Sequence, residues 1–120
     1  MPAQWLHFNF WKTLLTVATN ETTIQKTMDF EWDAAKAALN LKKHGITFED
    51  TALVFYDIGR IEAYDDKNYG EDRWATIGFA HSAFLYVVYT VRYEETIRLI
   101  SARKADADER KQYREANSWY

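Results

Sequence analysis

The feature that most restricts the fold is a change of hydrophobic periodicity near Arg60. Before this residue, apolar residues recur at helical spacing, and after it, as far as Lys104, they alternate with polar residues as in β-strands. Short polar connections divide this part of the chain into predicted strands over 60–66, 73–81, 84–93 and 96–104. Strands in direct succession with short connections form an antiparallel meander. The sequence therefore predicts a four-stranded antiparallel sheet.

Two helices are predicted before this sheet and one after it. Asp33 and Thr47 are suitable N-cap residues for the first two, and Gly45 is a suitable left-handed C-cap for the first. Asp106 and Glu109 form a capping-box pattern at the start of the last helix. With a short first strand at "FEWD", the order β-α-α-β-β-β-β-α predicts an α+β fold. The two N-terminal helices would pack on one face of the sheet, which leaves the other face to solvent or a ligand.

The first helix is predicted to have a core side and a polar side. The residues expected to face the core are Ala34, Ala38 and Leu41. A single polar stripe on the opposite side is formed by Lys36, Asn40, Lys43 and His44. His44 is also in the last turn, where positive charge suits the helix dipole. A lone histidine at a helix end is more often a dipole partner than a catalyst.

Composition limits the function classes. A chain of 120 residues with 48% hydrophobic and 28% charged residues is typical of one packed domain. The absence of cysteine excludes disulfides and thiolate chemistry and favours a reducing compartment. The three histidines show no ligand spacing, so no metal site or cofactor is expected. Because the net charge is -3, nucleic acid could bind only through a local basic patch.

Residues 1–27 differ from the rest of the chain. They crowd aromatic residues together without the basic start of a secretory signal, and Met28 follows them directly. We therefore interpret residues 1–27 as an N-terminal extension and residues 28–120 as the core domain. An amphipathic partner-binding or membrane-surface segment is the alternative. Deletion of the extension is expected to leave folding and partner binding intact.

Polar residues on the last two predicted strands are the strongest functional signal. Arg92 ends one strand, and Arg98, Ser101 and Arg103 follow on the next. An even number of loop residues would place Arg92 with Ser101 and Arg103, and an odd number would place it with Arg98. A two-residue turn at Glu94–Glu95 favours the first grouping. Two guanidinium groups on an open sheet face would bind phosphate.

The alternative for these arginines is simple ion pairing on a solvated face. The carboxylates considered as partners are Glu62, Asp65, Glu94 and Glu95. In the last helix, Tyr113 either fastens the helix to the body or stacks on a base. Because this helix has little apolar surface, we expect it to be lightly docked and able to move when a partner binds.

Several ordered segments resemble BrnT-type toxins. "FEWDAAKAALNLKKHGITFEDTALVF", "YGEDRWATIG", "TVR" and "IRLISARKADADERKQY" follow that family's patterns from about Phe30 to Tyr113. The glycine turn usual before the long third strand is replaced by His81-Ser82-Ala83, which bears only on the geometry of that turn.

The resemblance implies a bacterial type II toxin with a fold similar to RelE-like ribonucleases, which cleaves RNA in the cytoplasm without a metal. It implies neutralisation by a BrnA-like ribbon-helix-helix antitoxin, which would contact operator DNA, and a dimer formed through that complex; no membrane is involved. The residues that it suggests for catalysis are His44, Arg92, Arg98, Ser101 and Arg103. Those suggested for RNA binding are Lys36, Asn40, Lys43, Arg110 and Tyr113. The alternatives are a non-enzymatic co-repressor subunit and a toxin scaffold without ribonuclease activity.

Overall fold

The computed structural model describes residues 6–7, 28–67 and 70–118. The described strands are β1 (Leu6–His7), β2 (Asp29–Glu31), β3 (Ile61–Asp65), β4 (Arg73–Ala80), β5 (Ala83–Arg92) and β6 (Thr96–Lys104). The described helices are α1 (Ala34–His44), α2 (Phe48–Ala52), which continues as a 3-10 turn (Leu53–Tyr56), and α3 (Ala107–Ala116). The fold is therefore α+β, as predicted. No helix in these parts of the chain has the length and apolar character needed to cross a membrane.

The described strands form one sheet in the order β1-β3-β4-β5-β6-β2. The predicted meander is present as β3 to β6, in which all neighbours are antiparallel. The prediction of a purely antiparallel, four-stranded sheet is wrong, because β2 joins β6 in parallel and β1 joins β3. Local periodicity predicts hairpins well, but it carries no information about strands that pair across most of the chain.

The main core lies between one face of the sheet, which we call the helix face, and α2 with its 3-10 turn. Phe48, Val54 and Phe55 pack there against residues of β5 and β6. Thr47 accepts a hydrogen bond from the Asp50 amide as the predicted N-cap of α2. Phe55 makes an edge-to-face contact with Tyr89, with 4.9 Å between the ring centroids. These aromatic contacts fix α2 against the middle of the sheet.

Helix α1 lies beside the outer edge of β6, beyond the end of β2. Asp33 caps its first turn through the amides of Ala35 and Lys36, and these bonds lower the pKa of the Asp33 carboxyl. Gly45 ends the helix with φ of 72°, in the left-handed region predicted for it. Beyond the end of β2, the side-chain amide of Asn40 forms hydrogen bonds with the edge of β6. Its Nδ2 donates to the Ala102 carbonyl at 2.9 Å, and its Oδ1 accepts from the Ala102 amide at 3.0 Å.

The predicted orientation of α1 is wrong. Asn40 is only 6% exposed, whereas Leu41 is 48% exposed and Ala34 and Ala38 are also exposed. The helix therefore turns its apolar side outward and buries a polar residue. The physical reason is the open edge of β6, because unpaired backbone groups there need hydrogen bonds more than the helix needs to bury small apolar side chains.

Helix α3 packs on the face of the sheet opposite α2, where Tyr113 and Ala116 lie against a second cluster around Ile61, Ile77 and Ala105. No residue of α3 is fully buried. The expected light docking is nevertheless supplemented by a polar latch. We use this name for two contacts: the Tyr113 hydroxyl donates to Asp57 Oδ2 at 2.8 Å, and Asn117 Nδ2 donates to the Gly59 carbonyl at 2.9 Å. Burial and the bond to Asp57 raise the pKa of the Tyr113 hydroxyl, so it remains a donor.

The latch depends on the absence of a side chain at Gly59. A Cβ atom there would lie 2.7 Å from the Tyr113 hydroxyl oxygen and 2.8 Å from Asn117 Oδ1. We expect Gly59→Ala to push both groups away and to speed amide exchange in residues 109–117 by about 30-fold, since each of the two bonds contributes about 1 kcal/mol. Hydrogen exchange of the free protein measures this, with residues 85–91 as a slow internal reference.

Lys111→Ala is the matched control, because Lys111 is 66% exposed and pairs with Glu115 on the same helix. If Gly59→Ala leaves exchange in residues 109–117 unchanged, the latch does not hold the helix. Exchange in wild-type residues 109–117 as slow as in residues 85–91 would show that α3 is firmly docked.

Candidate active site

Two irregularities bring the predicted arginines to one face of the sheet. The turn after β5 has three residues, because Arg92 pairs with Thr96, so Arg92 shares a face with Arg98. The two-residue turn favoured from the sequence is therefore wrong. A bulge then lies opposite Tyr89, where the register shifts by one residue at Ile100. As a result Ser101 and Arg103 also lie on the face of Arg98, and all four predicted residues share what we call the arginine face.

The turn itself is held without glycine. Tyr93 and Glu94 both have positive φ, 54° and 65°, and the Glu95 amide donates to the Arg92 carbonyl. His81 and Ser82 adopt the same left-handed region between β4 and β5, so the exchange of glycine for histidine leaves a tight turn in place. Left-handed non-glycine residues cost free energy that the surrounding sheet must offset.

Glutamates surround the arginines at the open end of this face. Glu31 Oε1 lies 3.3 Å from Arg98 Nη1 and 3.8 Å from Arg92 Nε. Glu71 lies 3.6 Å from Arg92 Nη2 and 3.1 Å from Arg73 Nε. The Arg92 and Glu31 side chains are 43% and 34% exposed, so the cluster is accessible to solvent. Ion pairs this exposed are weak, which leaves the guanidinium groups available to a competing anion.

Arg103 has a different environment. Its guanidinium makes two hydrogen bonds to the Glu109 carboxylate, at 2.7 and 2.8 Å, and lies 4.1 Å from the centre of the Tyr86 ring. The bond to Glu109 raises the pKa of Arg103. Glu109 also accepts from the Asp106 amide as part of the capping box that the sequence predicted. The Glu109 carboxylate therefore caps the first turn of α3 and also joins this helix to the arginine face.

An open depression of about 360 Å³ adjoins Arg92 where β5 extends beyond β4. Its lining comprises Glu71, Asp72, Thr90, Val91, Arg92 and Tyr93. The Thr90 hydroxyl donates to the Asp72 carbonyl, which ties the β3–β4 connection to the strand. Tyr93 is 82% exposed at the rim. A flat polar depression with an exposed aromatic ring beside a guanidinium suits a nucleotide.

The remaining predicted residues do not join this face. His44 is partly buried in the last turn of α1, and among the described residues it makes no hydrogen bond or ion pair with the arginines. Lys36 and Lys43 are exposed on the same helix. The prediction that Asn40 belongs to an exposed polar stripe is wrong, because Asn40 is buried and hydrogen-bonded to backbone groups. Arg110 lies at the base of α3, where its guanidinium donates to the Ala105 carbonyl at 2.7 Å.

Sequence reasoning missed the glutamates that organise the face. Glu31 is positioned by the parallel pairing of β2 with β6, and Glu71 by the β3–β4 connection. Neither contact is signalled by a local sequence pattern. The capping box, however, places Glu109 close enough to Arg103 for a contact between them to be predictable. Of the carboxylates proposed as partners, Glu62 lies elsewhere. Glu62 bonds to Arg60 and to the Tyr89 hydroxyl. In the described parts of the chain, no group of three His, Cys, Asp or Glu residues could hold a metal ion.

Comparison with known proteins gives one family. The model of the BrnT ribonuclease toxin of type II toxin–antitoxin systems matches residues 32–109, which include α1 and the whole arginine face. A crystal structure of the Brucella abortus ribonuclease toxin BrnT is 27% identical to this chain with a TM-score of 0.52. The match covers 67% of this chain and 99% of that one. A search of curated protein sequences gives no match. Since the family model matches more than half of this chain, the chain belongs to the BrnT family of ribonuclease toxins of type II toxin–antitoxin systems.

Proposed function

We propose that this protein is a metal-independent endoribonuclease whose active site is the open end of the arginine face. The observation that carries the proposal is the placement of Arg92, Arg98, Ser101 and Glu31 on one accessible surface by a three-residue turn, a bulge and a parallel strand. Family membership supplies the ribonuclease class. The site contains guanidinium groups that would bind a phosphodiester, and it contains a carboxylate beside them.

In the proposed reaction the ribose 2′-oxygen attacks the adjacent phosphorus, and the bond from phosphorus to the 5′-oxygen breaks. Glu31 takes the proton of the 2′-hydroxyl, because its carboxylate lies within ion-pair distance of both guanidinium groups that would hold the phosphate. The leaving 5′-oxygen takes a proton from water, and the resulting hydroxide recovers the proton from Glu31. Arg92 and Arg98 stabilise the charge that grows on the phosphorane oxygens.

Ser101 and Arg103 would extend the same surface along the RNA backbone. Successive residues on one side of a strand are about 7 Å apart, close to the spacing of neighbouring phosphates. Tyr93 is placed to stack on a base beside the scissile phosphate. Tyr113, which bonds to Asp57, is better explained as part of the latch than as a base-stacking residue. His44, on α1, is not given a proton-transfer role in this scheme.

Purified protein incubated with RNA tests the proposal. We expect new 5′ ends, unchanged cleavage in EDTA, and no cleavage where the nucleotide at the cut site lacks its 2′-hydroxyl. Glu31→Gln should lower the rate by about 10²–10⁴-fold, the range for loss of a general base. Loss of activity in EDTA would contradict metal independence. An unchanged cleavage rate in Glu31→Gln would contradict only the role of Glu31.

In the cell we propose growth arrest through RNA cleavage, in the cytoplasm, relieved by a BrnA-like ribbon-helix-helix antitoxin that carries the complex to operator DNA. Induction without antitoxin should stop growth. A second candidate is a non-enzymatic co-repressor subunit, favoured by the observation that Arg92, Arg98 and Arg103 each already have a carboxylate partner. Normal growth with intact RNA after induction would favour that candidate.

A further inference from the structure

The outward side of α1 is unusual for a helix at the side of a small domain. Leu39 is 63% exposed and Leu41 is 48% exposed, while the buried residue of the helix is Asn40. At 100° per residue, the exposed arc between the two leucines also contains Ala34, Ala35 and Ala38. Small residues between two leucines allow a second helix to approach closely. The surface formed by residues 34, 35, 38, 39, 41 and 42 is called the α1 outer face.

The charge of this surface is as distinctive as its apolarity. Within α1 the ionisable side chains are Lys36, Lys42, Lys43 and His44, and the first turn has no acidic residue. The chain as a whole is acidic, with a net charge of -3. Lys42 lies in the middle of the α1 outer face, and Lys43 and Lys36 border it on the side of Leu39. An apolar surface with one lysine in its middle and two lysines along one border complements an amphipathic segment that carries acidic residues.

Stability explains why Asn40 faces inward, but it does not explain why the outward positions 39 and 41 carry leucine. Rotating the helix about its axis would bury one leucine or the other, at about 25 cal/mol per Å² of apolar surface. The fold instead places Asn40 inward, where three hydrogen bonds with Ile46 and Ala102 fix the rotation of the helix. The leucines are thus held outward by a rigid internal contact. Apolar residues displayed in this way mark surfaces that a protein partner covers.

We propose that the α1 outer face is the surface by which this toxin binds its antitoxin, through an amphipathic helix of the antitoxin with acidic residues along one side. RNA is a poorer fit, because exposed leucines do not contribute to phosphate binding. The α1 outer face is separate from the arginine face, since α1 lies along the edge of β6 and the arginines project from the sheet. An antitoxin helix bound at the α1 outer face would leave other surfaces of the toxin available for further contacts.

The test uses the full chain and the purified protein encoded by the reading frame that adjoins the toxin gene. We expect Leu39→Glu to raise the Kd for that protein by at least about 30-fold, because it would place a carboxylate where the interface buries a leucine. Lys42→Glu should raise it by about fivefold through charge reversal. RNA cleavage by both variants should equal that of the wild type, but the antitoxin should no longer inhibit Leu39→Glu.

Ile58→Glu is the matched control, because Ile58 is 74% exposed and lies next to the α3 latch rather than on α1. Its Kd should be unchanged. Three results would overturn the proposal: no binding of the neighbouring protein to the wild type, an unchanged Kd in Leu39→Glu, or equal weakening by Ile58→Glu. Reduced RNA cleavage in Lys42→Glu with intact antitoxin binding would assign the face to RNA instead. Absence of cleavage by the wild type would contradict the proposed ribonuclease activity and not this surface.

Discussion

Asn40→Ala should lower the free energy of unfolding by about 3–5 kcal/mol, because it removes three buried hydrogen bonds at once. In the native protein, Asn40 Nδ2 donates to the carbonyls of Ile46 and Ala102, and Oδ1 accepts from the Ala102 amide. Alanine leaves these backbone groups without the partner that replaced a neighbouring strand. For a domain of this size the melting temperature should fall by more than about 10 °C.

Thermal and urea unfolding measure the effect, and two further variants interpret it. Asn40→Asp keeps an acceptor for the Ala102 amide but places a carboxylate against two carbonyl oxygens, so it should be at least as destabilising. Lys43→Ala, an exposed change on the same helix, should alter stability by no more than about 0.5 kcal/mol. If Asn40→Ala melted like the wild type and only RNA binding weakened, the residue would belong to an RNA surface as first predicted.

The second large effect concerns activity. Arg98→Ala should reduce RNA cleavage by about 10²–10³-fold, the usual loss when one group that stabilises a developing oxyanion is removed. Arg92→Ala should have a similar effect, because both guanidinium groups lie at the same carboxylate. Since these ion pairs are partly exposed, the melting temperature should change little. Induced expression of either variant should no longer stop growth.

Arg114→Ala provides the matched control, because it removes the same charge from an exposed site on α3. Cleavage that fell equally in Arg114→Ala would show that general charge, rather than a specific site, drives activity. Arg103→Ala is expected to differ from both. Its loss frees Glu109, so it should reduce cleavage and also speed amide exchange in residues 109–117.

The meander, the caps and the identity of the arginines were predictable because each depends on residues close in sequence. The pairing of Glu31 with Arg98 was not, since 67 residues separate the two in the chain. The bulge at Ile100 was also beyond sequence reasoning, because an isoleucine on a strand is compatible with either register. The missed bulge matters for the site, because without it Arg98 would lie on the opposite face of the sheet from Ser101 and Arg103.

The orientation of α1 shows a different limit. Helical periodicity separates apolar from polar positions correctly, with Leu41 on one side and Asn40 on the other. It assumes that the apolar side is the buried one, an assumption that holds when a helix packs on apolar surface. Here α1 packs beside the edge of β6, where the amide and the carbonyl of Ala102 have no neighbouring strand. The Asn40 side chain forms a hydrogen bond with each of them.

The parallel pairing of β2 with β6 has a consequence for the timing of synthesis. Residues 29–31 leave the ribosome long before residues 96–98, with which they pair. Until then Glu31 has no guanidinium partner, and Arg92 and Arg98 do not yet share a face. Contacts this distant in sequence also form late in folding, after the local hairpins. A nascent chain therefore acquires the proposed active site only after β6 has left the ribosome.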